Sequence, residues 1–345
     1  MSLMLEEIRQ QPDVLARMVQ SQQSQLEKLG DVLRRRSIRL IVLVARGSSD
    51  NASLFGRYLL EITTGIPVSL AAPSVYTVYG AKMRLDNTLV VGVSQSGEGE
   101  DINRVLADAR AGGAFTIGIT NEAGSSMVKA VDGSLLIEGG KERSLAATKT
   151  FTGQMMMFYL LAEALAGKSP QLAGYETIPD LCAAALNHEP RIRELVQRYT
   201  FMENCVVLGR GLLYGNAYEL ALKLMETCYI VAERFSTADF FHGPLALVER
   251  HFPTIMFAAP GAMMPSVKTL ATRLKELHAE TLAITSDDSL AENCSQAVRM
   301  DPKIGEFLAP IPYMIPAQMF AALLAEAKGL NPDTPRSLLK ITRTL

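Results

Sequence analysis

The sequence has little cysteine and little histidine, and neither is arranged to hold a metal. Four cysteines, at 182, 205, 228 and 294, are scattered over 345 residues with no C-x-x-C spacing. They read as reduced, mostly buried thiols of a cytosolic protein, not as a disulfide framework. Four histidines, at 188, 242, 251 and 278, form neither H-E-x-x-H nor a His/Cys cluster, so an enzyme built on this chain is expected to work without a metal. Charge of one sign is lacking too: 34 Lys+Arg stand against 36 Asp+Glu, a net charge of −2. That leaves no basic field to hold nucleic acid. The most apolar stretch, Met155 to Ala162, runs for eight residues before Glu163, far short of the ~20 that a spanning helix needs. The opening MSLMLEEIRQQP is acidic and has no apolar signal core. The expectation is a cytoplasmic, soluble protein with neither a membrane nor a nucleic-acid partner.

What is present is an ordinary globular balance, 48% hydrophobic and 20% charged, which excludes an intrinsically disordered chain. At ~150 residues per domain the length suggests two domains. Residues 5–36 read as helical, with Ile8, Val14, Leu15, Met18, Leu26, Leu29 and Leu33 as the apolar positions. The run Arg34-Arg35-Arg36 reads as their solvated end. Leu40 to Val44 is a buried strand that meets a small-residue turn and a helix over about 52–61. Further strands over 67–71, 88–93, 115–120 and 134–137 alternate with helical stretches such as 101–111. Such alternation predicts parallel β-α-β units covered on both faces.

The arrangement then recurs. Arg46-Gly47 and Arg210-Gly211 each end an apolar strand and lie 164 residues apart, and the helices near 52–61 and 216–228 keep that offset. The predicted fold is α/β, with two tandem αβα domains, each a mainly parallel sheet flanked by helices. The expected boundaries are an N-terminal helical segment over 1–37, domains over 38–167 and 199–328, a helical linker over 168–198 and a tail over 329–345. The two copies differ after their third strands. The first continues Ser94-Gln95-Ser96-Gly97-Glu98, whereas the second has Ala259-Pro260-Gly261-Ala262, without side-chain donors. A polar loop at the carboxyl end of a parallel strand is where open α/β sheets bind ligands.

Several residues carry two readings. In SQSGE, short donors ahead of a helix either cap it or seat a phosphate, and Ser48 and Ser49 lie at the end of the neighbouring strand. Thr148 either caps the apolar helix after it or faces the same cleft. The pattern GxxxxGK[ST] is absent, which fits a monoester on neutral donors better than a nucleotide triphosphate. Glu219, Lys223 and Glu226 share one face of the 216–228 helix. Spacing alone favours a solvent-exposed Glu–Lys–Glu ladder over a carboxylate base tuned by a lysine. His242, between aromatics and a Gly-Pro turn, reads more readily as a packed core residue than as a proton carrier. Lys340 in the C-terminal tail reads as solvated.

Taken together, VLVARGSSDNA, SQSGE, SLAATKTFTGQ, LGRGLLYGNAYELALKLMETCYIVAE, FFHGPLALVE and GLNPDTPRSLLK resemble the sugar isomerase (SIS) family. The resemblance runs from about residue 8 to 345 and is nearest to the isomerase half of glucosamine-6-phosphate synthase and to stand-alone glucosamine-6-phosphate deaminases. It implies that Ser94, Gln95, Ser96, Ser48 and Ser49 hold a sugar phosphate. Leu145, Ala146 and Thr148 become further substrate contacts. It also implies that Glu226 shuttles a proton between C1 and C2, framed by Glu219 and Lys223. His242 then opens the sugar ring, reaching in from the neighbouring subunit of a homodimer with shared active sites, and Lys340 forms an imine with the keto sugar. No metal or redox cofactor is implied. One departure matters, because Gly99 stands where the synthase pattern SQSGET has threonine: a phosphate hydroxyl is missing or comes from elsewhere. A glutaminase domain with an N-terminal cysteine does not precede these motifs, the first cysteine being Cys182. The expectation is therefore release of ammonia from glucosamine 6-phosphate. A fructosamine-phosphate deglycase, a synthase half and a sugar-phosphate sensor are the alternatives.

Overall fold

The computed structural model describes residues 2–337, which divide into two compact units. One, here the N-terminal unit, holds residues 13–142 and 149–176. The other, the C-terminal unit, holds residues 2–12 and 143–148 and the described chain from Thr177 onward.

The N-terminal unit is built on five parallel strands: β1 (Leu40–Val44), β2 (Val68–Leu70), β3 (Thr88–Val93), β4 (Phe115–Thr120) and β5 (Gly133–Leu136). Their order is β2-β1-β3-β4-β5. β3 is buried throughout and β1 over four of its five residues, the near-continuous apolar pattern of strands covered on both faces. The helix after β1 spans Ser48–Thr64 and starts earlier than its apolar residues announce. Gly47, at φ +57, turns the chain, and the polar Ser48 to Asn51 form the first helical turn. The helix Lys149–Ala166 packs against it with an almost wholly buried surface. The span read as one helix over 5–36 is three: Leu3–Arg9, Gln11–Ser21 and Gln23–Arg34.

The C-terminal unit repeats the plan with β6 (Asn204–Gly209), β7 (Val231–Ser236), β8 (Pro253–Ala258), β9 (Glu280–Thr285) and β10 (Gln296–Arg299). Its order, β7-β6-β8-β9-β10, is the same crossover pattern, again all parallel. A helix with no polar face, Pro310–Ala327, packs on the helix Tyr214–Cys228 and on Ile178–Ala185.

In each sheet the chain leaves the first strand toward one edge and later returns on its other side. The crevice between the carboxyl ends of β1 and β3, and that between β6 and β8, is the topological switch point at which such sheets bind ligands.

Candidate functional site

At the N-terminal crevice, Val44 of β1 stands opposite Gly92 of β3, so the turns after them are neighbours. After β1 come Gly47 and the hydroxyls of Ser48, half-buried, and Ser49, buried. Ser49 Oγ accepts from Gln154 Nε2 at 2.9 Å. After β3 the loop is folded on itself. Ser94 Oγ accepts from Gly97 N at 3.1 Å and Ser96 Oγ from Glu98 N at 3.2 Å. The carbonyl of Gln95 accepts from Asn121 N at 3.0 Å and Thr120 Oγ1 at 3.1 Å. Gly97 is needed here: φ is +64, and a β-carbon would run into the Ser125 side chain. The helix Glu100–Ala111 follows. Two helices thus begin at adjacent strand ends, and the positive ends of their dipoles favour an anion.

Two acidic groups beside this loop have partners of their own. Glu98 turns away to accept from Ser126 Oγ at 2.6 Å and Ser126 N at 2.9 Å. The bond from the Ser126 hydroxyl is the main cause holding its carboxyl below the usual range. Asp101 is buried and binds Arg46 Nε at 2.8 Å.

The C-terminal crevice is filled by the chain itself. Past β8 the backbone N–H of Ala262 donates to Glu306 Oε2 at 2.7 Å, and Glu306 N donates to the carbonyl of Pro260 at 3.0 Å. An internal carboxylate therefore occupies the strand-end amide. The titratable cluster of this unit lies instead on the helix Tyr214–Cys228. Lys223 Nζ is 2.6 Å from Glu226 Oε2 and 3.3 Å from Glu219 Oε1. The exposed-ladder reading is wrong, since the Glu219 and Lys223 side chains have 0% exposure and Glu226 has 21%. The helix lies between its own sheet and Pro310–Ala327, to which Asn216 Nδ2 (2.7 Å to the Pro310 carbonyl) and Cys228 Sγ (3.3 Å to the Ala321 carbonyl) tie it. Burial pulls the Lys223 pKa down, but the two carboxylates more than reverse this, and the net shift is upward. Lys223 is thus an ammonium, and Glu226 is the member of the group that reaches solvent.

The segment 143–148 is fastened within the same unit. The buried carboxylate of Glu7 accepts from Arg143 N at 2.5 Å and Ser144 N at 3.1 Å. Gln11 Nε2 donates to Gln318 Oε1 at 2.7 Å, and Gln318 Nε2 to the carbonyl of Thr148 at 3.4 Å. Leu145 is half-buried, while Ala146 and Thr148 are buried. His242 is not a core residue. It is exposed and caps the short helix Thr237–Phe241 through its backbone N–H. Lys340 lies outside the described residues. Among the described residues no helix is long and apolar enough to cross a membrane.

Residues 36–164 and 202–326 match the SIS domain. The chain belongs to the SIS domain family. It is 32% identical over 98% of its length to glutamine–fructose-6-phosphate aminotransferase (isomerizing) of Methanothermobacter thermautotrophicus, of which it spans 56%. The chain therefore spans little more than half the length of the curated relatives it matches. The C-terminal domain of glucosamine-fructose-6-phosphate aminotransferase from Francisella tularensis superposes with a TM-score of 0.86 at 27% identity, over 96% of this chain and 98% of that one. Glucosamine-6-phosphate deaminase of Thermotoga maritima shares the fold, with a TM-score of 0.82 at 24% identity over 99% and 100% of the two chains.

Sequence reasoning missed three acids that shape the two SIS domains. Glu7 and Gln11 sit in a buried helical stripe with Met4 and Ile8. A polar pair at i, i+4 within an apolar stripe was the available signal for buried partners. Asp101 had none, being one of two acids in a helical first turn, and neither had Glu306.

Proposed function

We propose that this chain is an isomerase-type amino-sugar phosphate deaminase, converting glucosamine 6-phosphate to fructose 6-phosphate and ammonia. The observation that carries the reading is the Lys223–Glu226 contact of 2.6 Å, with the lysine buried and the carboxylate partly open to solvent. A carboxylate held in place by a fixed ammonium and open to solvent is suited to take a proton from carbon and give it back.

In the proposed path the loop Ser94–Ser96, with Ser48 and Ser49, binds the 6-phosphate. Leu145, Ala146 and Thr148 contact the sugar. His242 assists ring opening by moving the O1 proton to the ring oxygen. Glu226 removes the C2 proton of the open-chain aldehyde, and O1 is protonated, giving an enaminol. Return of the proton to C1 leaves an imine at C2. Water adds to that carbon, ammonia departs and the ketose remains. Acid–base catalysis of this kind contributes ~10²–10⁴-fold, and anchoring by the phosphate adds orientation. Lys223, itself held by Glu219, fixes the position of Glu226. Lys340 is assigned imine formation with the ketose from the resemblance alone. The working unit is a homodimer in which His242 serves the neighbouring subunit's site.

A second reading, amination of fructose 6-phosphate, is favoured by the names of the similar aminotransferases. The test is to follow ammonia and fructose 6-phosphate formed from glucosamine 6-phosphate, beside the reverse reaction with ammonium and a panel of fructosamine phosphates. Ammonia release from glucosamine 6-phosphate is the expected result. Turnover of the other substrates alone overturns the deaminase assignment, and no turnover at all overturns the enzyme. Mixed Glu226→Gln and His242→Asn subunits are expected to recover part of the activity, and no recovery overturns the shared site.

A further inference from the structure

A phosphate monoester carries close to two negative charges near neutral pH. The loop Ser94–Gly99 offers it neutral donors, and the helix beyond opens with Glu100 and Asp101. Hydroxyls and amides alone leave that much charge uncompensated beside a buried carboxylate. The turn between β1 and the helix Ser48–Thr64 supplies a cation. Arg46 donates its Nε–H to Asp101 Oδ2 at 2.8 Å, with its own side chain 50% exposed and that of Asp101 2% exposed. The other oxygen of Asp101 accepts from Ile102 N at 2.9 Å, so the carboxylate is fixed and fixes the arginine in turn. A guanidinium has five N–H donors, and here the four on the terminal nitrogens make no hydrogen bond to protein among the described residues, although the guanidinium also attracts the nearby carboxyl of Asp50.

The carboxylate that holds Arg46 stands close to Gly99. Asp101 Oδ1 lies 3.7 Å from the point that a β-carbon on Gly99 would occupy. Backbone geometry does not demand glycine there, because φ is −63. The tightest neighbour of that β-carbon is the flexible end of Ile102, at 3.3 Å. The space is one that a side chain could have taken and does not.

Resting on the reading of this loop as a phosphate seat, we infer that Arg46 is the charge-bearing ligand of the phosphate, planted by Asp101 of the helix that follows the loop. A planar fork with free terminal N–H groups is matched to a phosphate's oxygens. It also explains why a buried aspartate is tolerated next to an anion site: the Arg46–Asp101 pair is neutral as a whole and presents its positive end outward. The site then selects phosphate esters over unphosphorylated sugars by charge as well as by hydrogen bonding.

Removing Arg46 alone leaves Asp101 buried and unpaired, which threatens folding. The informative variant is therefore Arg46→Gln combined with Asp101→Asn, in the full chain. Binding of fructose 6-phosphate and of inorganic phosphate is measured by calorimetry, with thermal melting as the fold control. The double variant is expected to melt like the parent and to bind fructose 6-phosphate about tenfold to a hundredfold more weakly, the worth of a charge-assisted bond. Arg46→Lys, which keeps the charge and loses the fork, is expected to fall between them. Parent-like affinity in both variants overturns the inference and leaves Arg46 a structural ion pair. No binding of either probe by the parent protein overturns the inference together with the reading of the loop.

Discussion

The helices that follow the first strand of each sheet end alike and are filled differently. Ser48–Thr64 closes on Gly65 at φ +69, and Tyr214–Cys228 closes on Tyr229 at φ +57, two left-handed caps 164 residues apart. At that offset Phe55, Leu59 and Ile62 correspond to Glu219, Lys223 and Glu226. Phe55 and Leu59 are fully buried, as Glu219 and Lys223 are. One backbone plan thus buries an apolar pair in one domain and an ion pair in the other. The crevices are inverted in the same sense, with hydroxyls and amides in the first and the chain's own Glu306 in the second. Two SIS domains of one plan thus carry different polar groups, hydroxyls and amides at the strand ends of the first and a buried ion cluster in the second.

The largest expected effect comes from removing the charge at the partly exposed end of that ion cluster. Glu226→Gln keeps shape and hydrogen bonding and loses basicity, so turnover should fall by about 10²–10⁴-fold, with fructose 6-phosphate affinity within a fewfold of the parent. Ile62→Gln, at the corresponding place in the first domain, should leave turnover unchanged. Steady-state kinetics and calorimetry on the pair check this, and an active Glu226→Gln variant means that the base lies elsewhere.

Stability separates the two helices next. Lys223→Met strands Glu219 as a buried charge and should cost about 3–5 kcal/mol, read from urea unfolding. Phe55→Ala should cost a similar ~3–5 kcal/mol, for the different reason that it opens a cavity. Adding Glu219→Leu to Lys223→Met removes both charges and should restore much of the loss, while activity stays absent. A double variant as unstable as the single one would mean that the lysine stabilises by packing. The pH dependence has a fixed sign. The Lys223 pKa is raised in the folded state, so its contribution is fully present below the ordinary lysine value of 10.5 and is lost only as pH rises through the higher folded one. The stability gap between the parent and Lys223→Met should therefore hold constant from pH 7 to about pH 10.

The same contrast explains what could be read in advance. Leu40–Val44, Thr88–Val93 and Phe115–Thr120 were legible to the residue because a strand buried on both faces is a continuous apolar run bounded by polar turns. The loop after Val93 stood out because its counterpart at Ala259 lacks donors. The burial of Lys223 was not legible. Charges at i, i+4 and i+7 mark a solvent face only when nothing covers it, and the cover begins at Pro310, nearly ninety residues downstream. That helix was itself hidden: it has no polar face and carries Pro310, Pro312 and Pro316, so neither periodicity nor propensity announces it. β7, at a sheet edge with exposed Val231 and Glu233, lacks the buried run that marks the central strands.

The smallest expected effect bears on the crevices themselves. If a strand-end amide in this fold is an anion seat by construction, the second copy is closed only because Glu306 sits in it. Glu306→Ala frees the Ala262 amide, and the helix Met264–Glu276 begins just beyond. No cation comparable to Arg46 is fixed there by a buried acid, since Arg210 stands at the strand end without an ion pair among the described residues. The opened seat should therefore be weak, with inorganic phosphate binding on the order of 1 mM or worse, seen as a second event in phosphorus NMR titrations that the parent lacks. Glu306→Gln keeps the plug and should show none. If the alanine variant folds normally and still binds nothing there, the second crevice is closed by packing, and the difference between the two copies reaches deeper than one carboxylate.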